Sequence, residues 1–171
     1  MLLSLSFWSF VIMSKSIMNK ENINLSEHMT LAELTKTKTG IENVPNEEQV
    51  NNLKRVCGWL EKLRKRWNER YADIGNGGME EPLIINSGYR SPAVNKAVGG
   101  APTSNHLTGC AVDIRVAGLE QLLRYAVILL DISDESGEDF DELLLERNKA
   151  GRYWLHFAVR PSGNRRKVRM I

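Results

Sequence analysis

Apolar residues recur at three- and four-residue steps through NVPNEEQVNNLKRVCGWLEKLRKRWNERY, at Val50, Leu53, Val56, Cys57, Leu60, Leu63 and Trp67. That period places them on one face of a helix and leaves Lys and Arg on the other. Asn46 can cap its start, and Glu47 and Glu48 favour its positive end. Upstream, Thr30 followed by Glu33 has the form of a capping box, which predicts a short helix over 31–37 with Gly40 available as its stop. GLEQLLRYAVILLDI predicts a second long, strongly apolar helix. Elsewhere the period changes. PLIINSGYRS reads as a short buried strand over 83–86 and a turn, and SPAVNKAVGG as one short helix closed by Gly99 and Gly100. CAVDIRV alternates as a strand does, and FDELLLER and RYWLHFAVR form two more around the turn NKAG. Helices first, then strands mixed with helices, indicate an α+β fold with a small antiparallel sheet packed against helices.

Length and charge narrow the picture. A chain of 171 residues has room for one domain with a genuine core. A formal charge of +2 argues no nucleic-acid partner, although RPSGNRRKVRM is locally basic and reads as a solvated end. Cys57 and Cys110 form no disulfide framework and no CxxC zinc motif. The opening segment MLLSLSFWSFVIM lacks the positive start and small-residue cleavage site of a signal peptide and is too short to span a bilayer. Met13 and Met18 are alternative starts. The expected organisation is therefore an N-terminal extension over 1–24, one domain over 25–160 and a basic tail over 161–171. The expectation is a monomer without membrane insertion, made in the cytoplasm. No Gly-rich phosphate loop or nucleophile elbow is present, so kinases and serine hydrolases have no support.

SNHLTGCAVDIRV opens like a loop and closes like a strand, with His106 and Asp113 seven positions apart. RYWLHFAVR adds His156 in the middle of an alternating strand. Two neutral imidazoles and one carboxylate leave a fourth tetrahedral position open, as catalytic rather than structural zinc sites do.

The surroundings of these residues sharpen the reading. SNHLTGCAVDI fits S-x-H-x-x-G-x-A-x-D at every position. With SGYRS upstream and W-x-H downstream, the chain resembles the zinc D-Ala-D-Ala carboxypeptidases, the LAS metallopeptidases of peptidoglycan, and most of all their short phage and bacterial subgroup. The resemblance runs from roughly residue 31 to 159, with the motifs in family order. It implies a LAS/hedgehog-like zinc peptidase fold, Zn²⁺ as cofactor, and His106, Asp113 and His156 as its ligands. It implies that Arg90 and Ser104 contact a peptidoglycan stem peptide. A surface-turn role for Arg90 and a capping role for Ser104 are the plain alternatives. The implied reaction is hydrolysis of a D-amino-acid-containing amide, by a carboxypeptidase or an endolysin-type endopeptidase acting at the cell wall. The rivals on the same fold are a wall-peptide-binding domain without catalysis and a phage assembly domain.

A general base is still required. Several relatives carry an acid three positions before the last histidine, where this chain has Tyr153. Glu146 resembles a glutamate that the short subgroup carries before the hairpin turn. A three-residue loop would put Glu146 opposite Trp154, on the face of His156, and Glu142 moves with it. A two- or four-residue loop would put Asp141 there instead. Trp154 shares the His156 face as a wall of the site, or packs in the core.

Overall fold

The capping box at Thr30 forms: its hydroxyl accepts from the Glu33 amide at 3.3 Å, and the Glu33 carboxylate accepts from the Thr30 amide at 2.9 Å. The computed structural model describes residues 23–75 and 79–171. The apolar opening segment, with Met13 and Met18, lies outside the described residues. Helix α1 spans Leu31–Thr35 and stops at the extended backbone of Lys36, two residues before the expected end and well before Gly40. Helix α2 spans Glu47–Gly75. Its start is a reciprocal cap in which Asn46 and Gln49 each accept the other's amide, at 2.9 and 2.8 Å. Leu53, Val56, Cys57, Leu60 and Leu63 are fully buried, as the periodicity requires. Trp59, outside the predicted stripe, is buried too, against the rings of Phe140 and Phe157.

Strand β1 (Ile85–Ser87) sits slightly later than the expected 83–86, and α3 (Pro92–Ala97) follows. A 3-10 turn, Asn105–Thr108, leads into β2 (Ala111–Arg115) and α4 (Leu119–Ser136). Strands β3 (Glu142–Arg147), β4 (Tyr153–Ala158) and β5 (Lys167–Met170) complete the chain. The sheet order is β1-β2-β4-β3-β5. The first four strands are antiparallel as expected, but β5 joins β3 in parallel.

The C-terminal residues are largely exposed, as a solvated end would be, but their backbone is paired into the sheet. Several of their charges have partners. The Asp141 carboxylate, fully buried, accepts from Arg165 Nε and Nη2 at 2.8 and 2.7 Å and pairs with Arg160 at 3.0 Å. Within the strand itself Lys167 Nζ donates to Glu142 Oε1 at 2.9 Å, beside the parallel backbone ladder to β3.

Alternation along the strands separates two faces. Val112, Ile114, Leu143, Leu145, Leu155 and Phe157 are buried on the face covered by α2 and α4. Each such side chain contributes about 1.5–3 kcal/mol by leaving water. The opposite face carries Asp113, His156, Glu142, Glu146 and Trp154. Among the described residues no helix is long and apolar enough to cross a membrane.

Candidate metal centre

Two glycines explain how the ligand loop is held. Gly109 ends the 3-10 turn at φ +71, and a Cβ there would lie 2.5 Å from the Gln49 carbonyl oxygen of α2. The turn is docked by Gln49 Nε2 donating to the Leu107 carbonyl at 3.0 Å and Asn52 Nδ2 donating to that of Thr108 at 2.9 Å. Gly88 lies equally close to α1, where a Cβ would meet the Leu34 carbonyl oxygen at 2.3 Å. The carbonyl of Gly88 accepts a hydrogen bond from His106 Nδ1 at 2.6 Å. SGYRS and SNHLTG, separate in sequence, are thus one packed unit.

The bond to Gly88 fixes the His106 tautomer: with the proton on Nδ1, the Nε2 lone pair is free to bind metal. Nε2 lies 3.2 Å from Asp113 Oδ1. Strand pairing places Asp113 directly opposite His156, whose Nδ1 is 3.0 Å from the same oxygen. One ligand atom from each of the three residues falls within 4.8 Å of the others. His106, Asp113 and His156 are 2, 8 and 7 % exposed. Two imidazoles and a carboxylate, buried and converging from a loop and two strands, fit a divalent metal of the zinc type.

The same seven residues read from the sequence all border one cleft of about 750 Å³: His106, Asp113 and His156 with Glu146, Arg90, Ser104 and Trp154. A family model described as Peptidase M15 matches residues 27–129, well over half of the chain. The chain belongs to the peptidase M15 family. No curated protein matches it. The matched span of this M15 metallopeptidase contains SGYRS, His106 and Asp113 but ends in α4; Glu146 and His156 are added by the hairpin.

The hairpin register decides which carboxylate shares the face of His156. Asn148 N donates to the Arg152 carbonyl at 3.0 Å, leaving a three-residue turn, and Glu146 pairs with Trp154. Glu146 therefore shares the His156 face. Burial, reinforced by the Asp113 charge, raises its pKa above the ordinary carboxylate range, although His156 and a hydrogen bond to the Trp154 side chain oppose this. Asp141 is excluded by place: fully buried, it is bound to Asn105, Arg160 and Arg165 and does not border the cleft. Tyr153 falls on the core-facing side of β4 and packs against the core.

Arg90 is no surface-turn residue. Its Nη2 pairs with Asp113 Oδ2 and its Nε donates to Ser87 Oγ at 2.8 Å. A guanidinium carries five N–H donors, so donors remain for a substrate. Ser104 does cap the 3-10 turn, its hydroxyl accepting from the His106 amide at 3.3 Å, and it borders the cleft as well.

Glu142, read from the sequence only as moving with Glu146, is a close neighbour of His156. Its Oε2 lies 3.6 Å from His156 Nε2, on the ring edge away from Asp113. A carboxylate there orients the ring and leaves Nδ1 as the ligand atom. Lys167 Nζ at 2.9 Å, Arg165 Nη2 at 3.0 Å and Asn105 Nδ2 at 3.1 Å hold it in place. No sequence motif reports this, because the partners come from β5 and its approach.

In the metal-free chain the two histidines diverge. Burial dominates at His106 and depresses its pKa, outweighing the attraction of Asp113. At His156 burial also acts downward, but Asp113 and Glu142 together raise the pKa to about 9. Asp113 is buried, yet His106 and His156 hold it well below the usual carboxylate range.

Proposed function

We propose that this M15 peptidase hydrolyses a D-amino-acid-containing amide bond in peptidoglycan stem peptides, using zinc held by His106, Asp113 and His156. One observation carries the reading: the buried two-histidine, one-aspartate cluster opens onto the 750 Å³ cleft with a half-buried Glu146 on the same sheet face. Held by these three residues, zinc would supply Lewis acidity toward water and the amide carbonyl.

The chain's own groups do the rest. Glu146, poised above the usual carboxylate range, takes the proton of the attacking water and returns it to the departing amine. Gly88 and Glu142 hold the two imidazoles in the orientation that presents their lone pairs to the cluster. Arg90 braces Asp113 and uses its remaining donors on the oxygen where negative charge develops. Ser104 offers a hydroxyl to substrate, and Trp154 walls the cleft beside Glu146.

The test is mass spectrometry of fragments released from purified peptidoglycan by zinc-loaded protein, beside a His106→Ala control. A specific new terminus, absent in the control, is expected and names the bond. No release from several wall types, with one zinc bound per chain, would instead favour a binding or assembly role.

A further inference from the structure

Glu142 divides its two carboxylate oxygens between different neighbours. Oε2 faces the His156 ring, 3.6 Å from Nε2, and accepts from Asn105 Nδ2 at 3.1 Å. Oε1 is turned the other way, to Lys167 Nζ at 2.9 Å and Arg165 Nη2 at 3.0 Å. Fixing one oxygen of a planar group fixes where the other points. Strand order makes the arrangement a line: β4 carries His156, β3 Glu142 and β5 Lys167, with Lys167 directly beside Glu142 in the parallel pair. The whole line lies beyond residue 129, where the M15 match ends.

Asn105 joins the other histidine to this line. It immediately precedes His106 in the 3-10 turn, and its Nδ2 donates to Asp141 Oδ2 at 2.8 Å as well as to Glu142. The cations around the two carboxylates have separate duties. Arg160 pairs with Asp141 and Arg165 with both, whereas Lys167 pairs with Glu142 and with no other carboxylate among the described residues. Neutralising the buried Asp141 is therefore not the work of Lys167. We propose that Lys167 is a positioning residue of the metal centre, holding Glu142 so that His156 presents Nδ1, and that β5 thereby sets the affinity for zinc. This rests on the reading of His106, Asp113 and His156 as the ligands. The sign of the effect separates positioning from charge. An ammonium near a cation site repels the cation, so removing it would tighten binding if charge alone acted. Loss of positioning weakens binding instead, and a partner behind a metal-binding imidazole is worth about 10–100-fold in affinity.

The experiment measures zinc Kd by competition with a chromophoric chelator, on the full chain and on Lys167→Met, Lys167→Arg, Glu142→Gln and Lys167→Met/Glu142→Gln. Glu142→Gln is expected to weaken zinc about 10–100-fold. Lys167→Met should weaken it roughly three- to tenfold, because Arg165 and Asn105 remain on Glu142. Lys167→Arg keeps charge and donor and should stay within about twofold of the unmodified chain. In the Glu142→Gln background Lys167→Met should add nothing, as for residues that act as one unit. Cobalt-loaded protein gives a second readout. Its visible absorption, which follows ligand geometry, should change in Lys167→Met and return in Lys167→Arg. Unchanged or tighter zinc binding in Lys167→Met overturns the proposal, as does an equal loss in the Glu142→Gln background. An unmodified chain that takes up no zinc overturns it together with the metal reading. Zinc held equally by the unmodified chain and Lys167→Met overturns the positioning role alone.

Discussion

Glu146 owes its place on the cluster's face to one backbone fact, the three-residue turn that sets it opposite Trp154. A carboxylate on that face, partly dehydrated and with its pKa raised by burial, is a stronger base than an exposed one. Changing Glu146 to Gln keeps shape and hydrogen-bonding capacity but removes the base. The expected outcome is a fall in kcat of about 10²–10⁴-fold with metal still bound at one per chain. Single-turnover kinetics beside metal analysis checks both halves, and full activity in the variant would remove Glu146 from the mechanism. The convergence of His106, Asp113 and His156 was legible in sequence because S-x-H-x-x-G-x-A-x-D and W-x-H fix residue types at set offsets. The face of Glu146 was legible only conditionally, since one residue more or less in the turn would reverse it. Glu142 was not legible as a partner of His156, because its own anchors are distant in sequence.

Elements position these residues through contacts that no residue makes alone. The 3-10 turn carrying His106 is pressed onto α2 so closely that Gly109 has neither room nor backbone freedom for a side chain. Gly109→Ala would combine a left-handed backbone cost of roughly 1–2 kcal/mol with a clash against backbone. The expected loss is about 2–4 kcal/mol in urea unfolding of the metal-free protein. Weaker metal binding should follow, because His106 moves with the turn. A loss below about 0.5 kcal/mol would mean that α2 yields easily and the docking is loose. The helices were legible from period and caps, with α1 ending early because Lys36 takes an extended backbone before Gly40 is reached. Strand β5 was hidden by its composition. KVRM has little apolar alternation, and its place shows only in the backbone ladder to β3 and the contact of Lys167 with Glu142.

At the scale of the whole molecule, the sheet separates stability from chemistry: one face makes the core with α2 and α4, and the other gathers the charges around the cleft. The α+β class followed from element order, but the coupling of the cluster to global stability depends on distances that only the folded chain supplies. That coupling has a definite sign. In the metal-free chain His156 has a pKa near 9, above the ordinary value of about 6.5. Its contribution is therefore fully present below about pH 6.5 and lost as pH rises through 9, a change on the order of 3 kcal/mol. His106 is shifted the other way, so its contribution is present above about pH 6.5 and lost in acid. Metal replaces the proton on His156, which removes the alkaline loss and releases about one proton per metal at pH 7–8. The gap in unfolding free energy between zinc-loaded and chelator-treated protein should therefore widen from pH 6.5 to 9. Cys57, whose thiol burial pushes up to about 12, titrates the same way in both forms and cancels from the gap. Denaturant unfolding across that range, with calorimetry in buffers of different ionisation enthalpy, measures the gap and the proton together. A gap independent of pH, with no proton released, would mean that His156 is already neutral in the metal-free protein and that Glu142 does not hold its charge.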